Sequence, residues 1–89
     1  MASPDDTCIE YPCDFPVKAM GLAEHDIENI FLEIARENFP HQESFEIKRK
    51  ASKGGKYLSV TITLKAQNRE QLDVTYQALC DHEHILMTL

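Results

Sequence analysis

The sequence has little glycine and proline and no long apolar run, and these absences limit the structural classes of protein to which it can belong. Three of its 89 residues are glycine and four are proline, whereas 43% are hydrophobic. This is the composition of a folded globular chain rather than a collagen-like or disordered one. No stretch of about 18 apolar residues occurs, as a membrane-spanning helix requires, and the acidic N-terminus lacks the apolar core of a signal peptide. We therefore predict one small cytoplasmic domain with no membrane partner.

Cysteine is scarce and poorly spaced for metal binding or catalysis. The chain has Cys8, Cys13 and Cys80, and in a reducing cytoplasm we expect all three to be thiols. Structural zinc needs four ligands, usually in two close pairs, but the close pairs here are C-x4-C and H-x-H, neither a common zinc spacing. Cys80 precedes His82 and His84 but falls on a helix stripe that we expect to be buried. We predict no metal, no cofactor, no catalytic residues and no enzymatic activity.

Basic charge is also scarce, and it is unevenly distributed. Nine Lys and Arg stand against 15 Asp and Glu, for a formal net charge of −6. Acids prevail in residues 1–14 and 24–39, whereas residues 48–56 contain bases and no acid. Nucleic-acid-binding domains are usually basic, so a nucleic-acid partner is disfavoured. A basic stretch on an acidic chain can orient a protein partner, or it can simply protect an edge strand from unwanted pairing.

Hydrophobic periodicity predicts a domain over residues 14–89, preceded by a flexible tail over residues 1–13. The tail shows no periodicity. Beyond it, alternating apolar residues indicate strands, and apolar residues at helical spacing indicate helices. The predicted elements, in chain order, are strand 15–21, helix 27–39, strand 45–50, strand 57–66, helix 68–80 and strand 84–89.

This order of elements predicts an α+β fold, a ferredoxin-like βαββαβ sandwich. Each helix has one apolar face, so both can cover one side of a four-stranded antiparallel sheet. Right-handed crossovers then favour the strand order 4-1-3-2. In the last strand, we expect the odd-numbered residues from Ile85 to Leu89 to face the helices. The residues predicted to meet a partner on the other sheet face are Lys18, Met20, Lys48, Lys50, Tyr57 and Leu86.

Several segments resemble the YbeD-like family of small bacterial proteins. They are Glu10-Tyr11-Pro12, Lys18-Ala19-Met20-Gly21, Ser52-Lys53-Gly54, Tyr57 to Thr63, Asn68 to Leu72 and Met87-Thr88-Leu89. The resemblance implies the fold of ACT domains, and with it a regulatory role rather than a catalytic one. Relatives are often encoded near a lipoate-attachment enzyme, which implies a link to lipoate metabolism. ACT domains bind amino acids at the loop after strand 1, which corresponds here to Met20, Gly21, Leu22 and Ala23.

Three functions stay open at the level of the sequence. The first is a regulatory or adaptor domain that binds a protein partner, such as a second copy in a homodimer, through the open sheet face or an edge strand. The second is an ACT-like sensor that binds a small-molecule effector at residues 20–23, although a tight turn alone also explains Gly21. The third is RNA binding, because RNA-recognition modules share the fold.

Overall fold

The predicted order of strands and helices is the observed one. The computed structural model describes residues 12–89. The elements are β1 (Cys13–Leu22), α1 (Ile27–Asn38), β2 (Glu46–Ala51), β3 (Tyr57–Ala66), α2 (Arg69–Asp81) and β4 (Met87–Thr88). β1 begins at Cys13, inside the predicted tail, because Cys13 already pairs with Ala66. Residues 1–11 of that tail lie outside the described residues.

The strands form one antiparallel sheet. Its order is β2-β3-β1-β4, which is the predicted order 4-1-3-2 read from the opposite edge. The centre is the β1–β3 pair, which runs from Cys13 opposite Ala66 to Leu22 opposite Tyr57. β2 pairs with β3 along its whole length, whereas β4 pairs with β1 at two positions. The predicted fold class is therefore confirmed.

Both helices cover the same face of the sheet. They contact each other as well as β3, and their buried side chains share one core with alternate residues of β1 and β3. Phe31 and Phe39 are the largest wholly buried side chains of this core. The opposite sheet face carries the remaining alternate residues and no helix from residues 12–89. None of the helices in this part of the chain is long and apolar enough to span a lipid bilayer.

Asn68 and Gln71 fix the beginning of α2. The Oδ1 atom of Asn68 accepts a hydrogen bond from the Gln71 backbone N–H at 3.0 Å, as an N-cap residue does. The Gln71 side chain accepts from the backbone N–H of Gln67 at 2.7 Å. Its Nε2 donates to the carbonyl oxygen of Asn38 at 3.2 Å. One side chain therefore links the start of α2 to the end of α1.

Replacing Asn68 by alanine should lower the free energy of unfolding by about 1 kcal/mol, because the Gln71 N–H loses its acceptor. Urea unfolding followed by circular dichroism measures this change. Asn68→Gly is the matched control, since glycine is itself a tolerated N-cap residue and should cost only about 0.3 kcal/mol. Equal losses in both variants would contradict the capping role of Asn68.

The last strand is shorter than predicted, and its side chains lie on different sides of the sheet from those predicted. The Ile85 N–H donates to the His82 carbonyl oxygen and closes a turn. This turn includes residues that the alternation predicted to be in the strand. Met87 then pairs with Met20, and Thr88 pairs with Ala19. Since Ala19 is in the core, Thr88 faces the helices and Met87 faces the open side. The predicted inward facing of Met87 was therefore wrong, and Ile85 alone is buried as expected.

Two expectations about cysteine were also wrong. Cys80 is exposed and free, because the buried stripe of α2 consists of Leu72, Thr75 and Leu79 and Cys80 lies just beside it. Cys13 is disulfide-bonded rather than a thiol. Cys8 lies outside the described residues.

Candidate protein-binding surface

The sheet face opposite the helices, called here the outer face, carries five rows of side chains across the strands. The register that defines them follows from the three strand pairings. The rows are Asp14–Lys65, Glu46–Thr63–Pro16, Lys48–Thr61–Lys18, Lys50–Ser59–Met20–Met87 and Tyr57–Leu22. All the residues predicted to meet a partner lie in these rows, apart from Leu86.

Leu86 lies beside the rows rather than in them. It precedes β4, and its backbone N–H donates to the carbonyl oxygen of Met20 at 2.8 Å. Its side chain is 58% exposed and lines a shallow depression of about 220 Å³ with Cys80 and Met87. Met87, which was expected to face the helices, takes the position opposite Met20.

Three lysines lie in two adjacent rows of the outer face, and one acid, Glu46, lies beside Lys48 on the same side of β2. Lys18, Lys48 and Lys50 are exposed, and none of them forms an ion pair with a residue in 12–89. Neighbouring strands lie about 4.8 Å apart, so the backbone positions of Lys18 and Lys48, with β3 between them, are roughly 10 Å apart. The face changes from basic at β2 to apolar at β4, where Met87 is 50% exposed.

Arg49 lies between the two lysines of β2 but points to the helix side. Its Nε donates to the Glu28 carboxylate of α1. This hydrogen bond, with the charge of Glu28, raises the pKa of the Arg49 guanidinium above its ordinary value. Arg49 is thus neutralised within the chain, whereas Lys48 and Lys50 are not.

The predicted ligand loop, residues 20–23, is mostly strand. β1 extends to Leu22, and only Ala23 lies in the turn that follows. The backbone N–H of Ala23 donates to the carbonyl oxygen of Lys56 at 2.8 Å. The segment is therefore held by backbone hydrogen bonds to the β2–β3 turn and to the neighbouring strands.

Gly21 is explained by the close approach of another part of the chain. A Cβ atom at this position would lie 2.3 Å from the carbonyl oxygen of His84 and 2.5 Å from Cδ1 of Ile27. Both distances are far below van der Waals contact, so only glycine fits without movement of the backbone. The space beside Gly21 is filled by the protein's own atoms, and nothing about this glycine requires a ligand.

Three histidines that sequence reasoning did not bring together meet beside Gly21. The rings of His25 and His84 stack with centroids 3.6 Å apart and planes inclined by 17°, and the His82 ring centroid is 5.5 Å from that of His84. His25 follows β1 and His84 precedes β4, so the pairing of these strands brings them together. Within residues 12–89, no three His, Cys, Asp or Glu side chains are placed to hold a metal ion.

The fold and its open face define a small α+β domain of the ferredoxin-like class. The chain belongs to the family described as "Protein of unknown function (DUF493)", whose model matches residues 6–89. This membership confirms the YbeD-like resemblance that the sequence segments indicated.

Full-length relatives support the same assignment. The chain is 40% identical over 85 residues to UPF0250 protein NE1487 of Nitrosomonas europaea, covering 96% of this chain and 98% of that protein. It is 34% identical over 89 residues to a UPF0250 protein of Paraburkholderia phymatum, covering 100% of both. The solution structure of protein HP0495 from H. pylori matches with a TM-score of 0.74 at 19% identity, covering 100% of this chain and 97% of that chain. That structure shows the shared fold.

Proposed function

We propose that this protein is a non-enzymatic regulatory or adaptor domain of the cytoplasm that binds a protein partner through the outer face. One observation carries the proposal: three lysines that form no ion pair with residues 12–89 share a helix-free sheet face with Met20 and Tyr57, on a chain of net charge −6. Apolar side chains rimmed by charge are typical of protein-binding surfaces, and a locally positive face attracts a partner of opposite charge. The link to lipoate metabolism that the resemblance implies stays a prediction.

The outer face offers little support for RNA binding. RNA-recognition modules of this fold stack bases on aromatic side chains of the two central strands. The central strands here, β1 and β3, present Tyr57 at the end of a strand and otherwise mainly Lys, Met, Ser and Thr on that side. The acidic net charge also opposes attraction to a phosphate backbone. A protein partner therefore fits the surface better.

Reversing the charge of the Lys48–Thr61–Lys18 row should weaken partner binding by about tenfold or more, because two attractive charges become repulsive. The double variant Lys18→Glu, Lys48→Glu makes this change and leaves Met20 and Tyr57 in place. Affinity capture from the native cell extract, with quantitative mass spectrometry of the retained proteins, measures the loss. Retention of every specific protein by this variant would overturn the proposal.

The control for that experiment is the double variant Arg36→Glu, Lys53→Glu. It changes the net charge by the same amount, but its sites lie on α1 and in the β2–β3 turn, away from the outer face. Equal losses in both variants would show that overall charge, rather than the face, decides binding. Light scattering at several protein concentrations establishes whether a captured partner is a second copy of the chain.

A further inference from the structure

β2 is an open edge of the sheet. It pairs with β3 on one side, and within residues 12–89 no strand lies on its other side. The backbone N–H of Ser52, directly after β2, donates to the carbonyl oxygen of Tyr57 at 2.8 Å. Neighbouring residues of an antiparallel strand point their backbone groups in opposite directions. The N–H and C=O groups of Ile47, Arg49 and Ala51 therefore point away from the sheet.

Most of the devices that protect edge strands are missing from β2. Such strands are usually very short, interrupted by proline or a bulge, or covered. The pairing of β2 with β3 is unbroken from Glu46 to Ala51, and β2 contains no proline. Its remaining protection is charge: Glu46, Lys48 and Lys50 project on the outer face and together leave one net positive charge. Lys48 and Lys50 form no ion pair with the described residues, while Arg49 is bound to Glu28 on the helix side.

We infer that β2 accepts an extended acidic segment of a partner protein as an additional strand of the sheet. The inference rests on the proposed function and names the chemistry of the partner. The outward backbone groups supply main-chain hydrogen bonds, as in other cases of strand addition. Carboxylates at two alternate positions of the segment project on the same side as Lys48 and Lys50, and the next alternate position lies beside Glu46, so the acidic part of the segment is the part along residues 48–50. The positions between them lie on the side of the half-buried Ile47, so the segment alternates acidic and apolar residues.

A second copy of this chain is a poorer occupant of the edge. When two β2 strands pair antiparallel about Arg49, Lys48 of one lies opposite Lys50 of the other, and like charges directly opposite are destabilising. When they pair about Lys48, the two Lys48 side chains are opposite each other, although Glu46 of each strand then lies opposite Lys50 of the other. Two chains that each carry a net charge of −6 also repel one another. A separate segment whose acids lie along Lys48 and Lys50 meets neither obstacle.

The test uses a synthetic peptide of alternating glutamate and valine, blocked at both ends and roughly eight residues long, which is enough to span β2. Nuclear magnetic resonance follows its binding and the hydrogen exchange of each backbone amide. We expect exchange at Ile47, Arg49 and Ala51 to slow by about tenfold or more, because their N–H groups become hydrogen-bonded. The amides of Lys48 and Lys50, which face β3, should change little.

Arg49→Pro isolates the contribution of the backbone. Proline removes one outward N–H but no hydrogen bond to β3, and edge strands tolerate it at such positions. We expect the affinity for the alternating peptide to fall by about tenfold. Arg49→Ala is the control, since it loses the same side chain and the bond to Glu28 but keeps the N–H, and it should bind like the parent. Ala51→Pro, at the end of β2, repeats the test if Arg49→Pro does not fold.

Peptide order provides the second control, because a peptide with its four valines and four glutamates in separate blocks cannot place carboxylates at alternate positions. It should bind about tenfold more weakly. Absence of binding at millimolar alternating peptide, or unchanged binding by Arg49→Pro, would overturn the inference. So would edge amides that are already protected in a dimer before peptide is added.

One outcome separates this inference from the proposed function. If the peptide shifts the resonances of Lys18, Met20 and Tyr57 and leaves the edge amides unprotected, strand addition is wrong while binding through the outer face stands. If the edge amides become protected but the charge reversals at Lys18 and Lys48 leave partner capture unchanged, the proposed function fails at the outer face instead.

Discussion

Replacing Phe31 by alanine should lower the free energy of unfolding by about 3–5 kcal/mol. Phe31 lies in the middle of α1, is wholly buried, and is among the largest side chains of the core. The substitution removes its apolar contacts with the sheet and leaves a cavity that rigid neighbours fill only in part. Urea unfolding should show a lower midpoint with an unchanged slope.

Val74→Ala is the control for that measurement. Val74 lies on α2 and is 47% exposed, so its truncation should change the free energy of unfolding by no more than about 0.5 kcal/mol. If Phe31→Ala does not fold, Phe31→Leu should still show a loss of about 1 kcal/mol, since leucine retains most of the apolar volume. A loss of less than about 1 kcal/mol for Phe31→Ala would contradict the packing of α1 on the sheet.

Replacing Gly21 by alanine should lower the free energy of unfolding by about 3 kcal/mol, at the upper end of the usual cost of overpacking. The added methyl group meets the backbone oxygen of His84 at 2.3 Å. A side chain could rotate away from such a clash, but a backbone oxygen cannot, so the turn before β4 must shift. Thermal and urea unfolding of the variant measure the loss.

Gly54→Ala is the matched control for Gly21→Ala. Gly54 has φ +87°, and a Cβ atom there meets nothing within 4 Å, so the substitution introduces backbone strain without a clash. It should cost about 1 kcal/mol. If Gly21→Ala were as stable as the parent chain, the close packing of the His84 backbone on β1 would be wrong.

β3 and β4 show what the hydrophobic pattern can and cannot predict. The ten residues of β3 alternate without interruption, and its predicted and observed bounds coincide at Tyr57–Ala66, because such a run fits a strand with one buried face. β4 is two residues long, which is too short for a period of two to be recognised. Which side of the sheet its side chains face depends on its pairing with β1. The sequence around β4 carries no information about that pairing.

The same distinction applies to the candidate site. Alternation along β1 and β3 is enough to place Lys18, Met20 and Tyr57 on one sheet face, since residues two apart share a side. The ion pair between Arg49 and Glu28 and the stacking of two histidine rings join segments that are distant in the sequence. No local pattern indicates them, because they arise from the order of strands and from where the helix lies.

The position of β1 at the centre of the sheet affects how the chain folds during synthesis. β1 lies between β3 and β4 in space. In the sequence, however, one helix and one strand separate β1 from β3, and two helices and two strands separate it from β4. Contacts so distant in sequence form slowly, because the intervening loop must be ordered first. β2 and β3, joined by a short turn, can pair early. During synthesis, β1 therefore has no strand to pair with until β3 has emerged from the ribosome, and it is paired on both sides only once β4 has emerged as well.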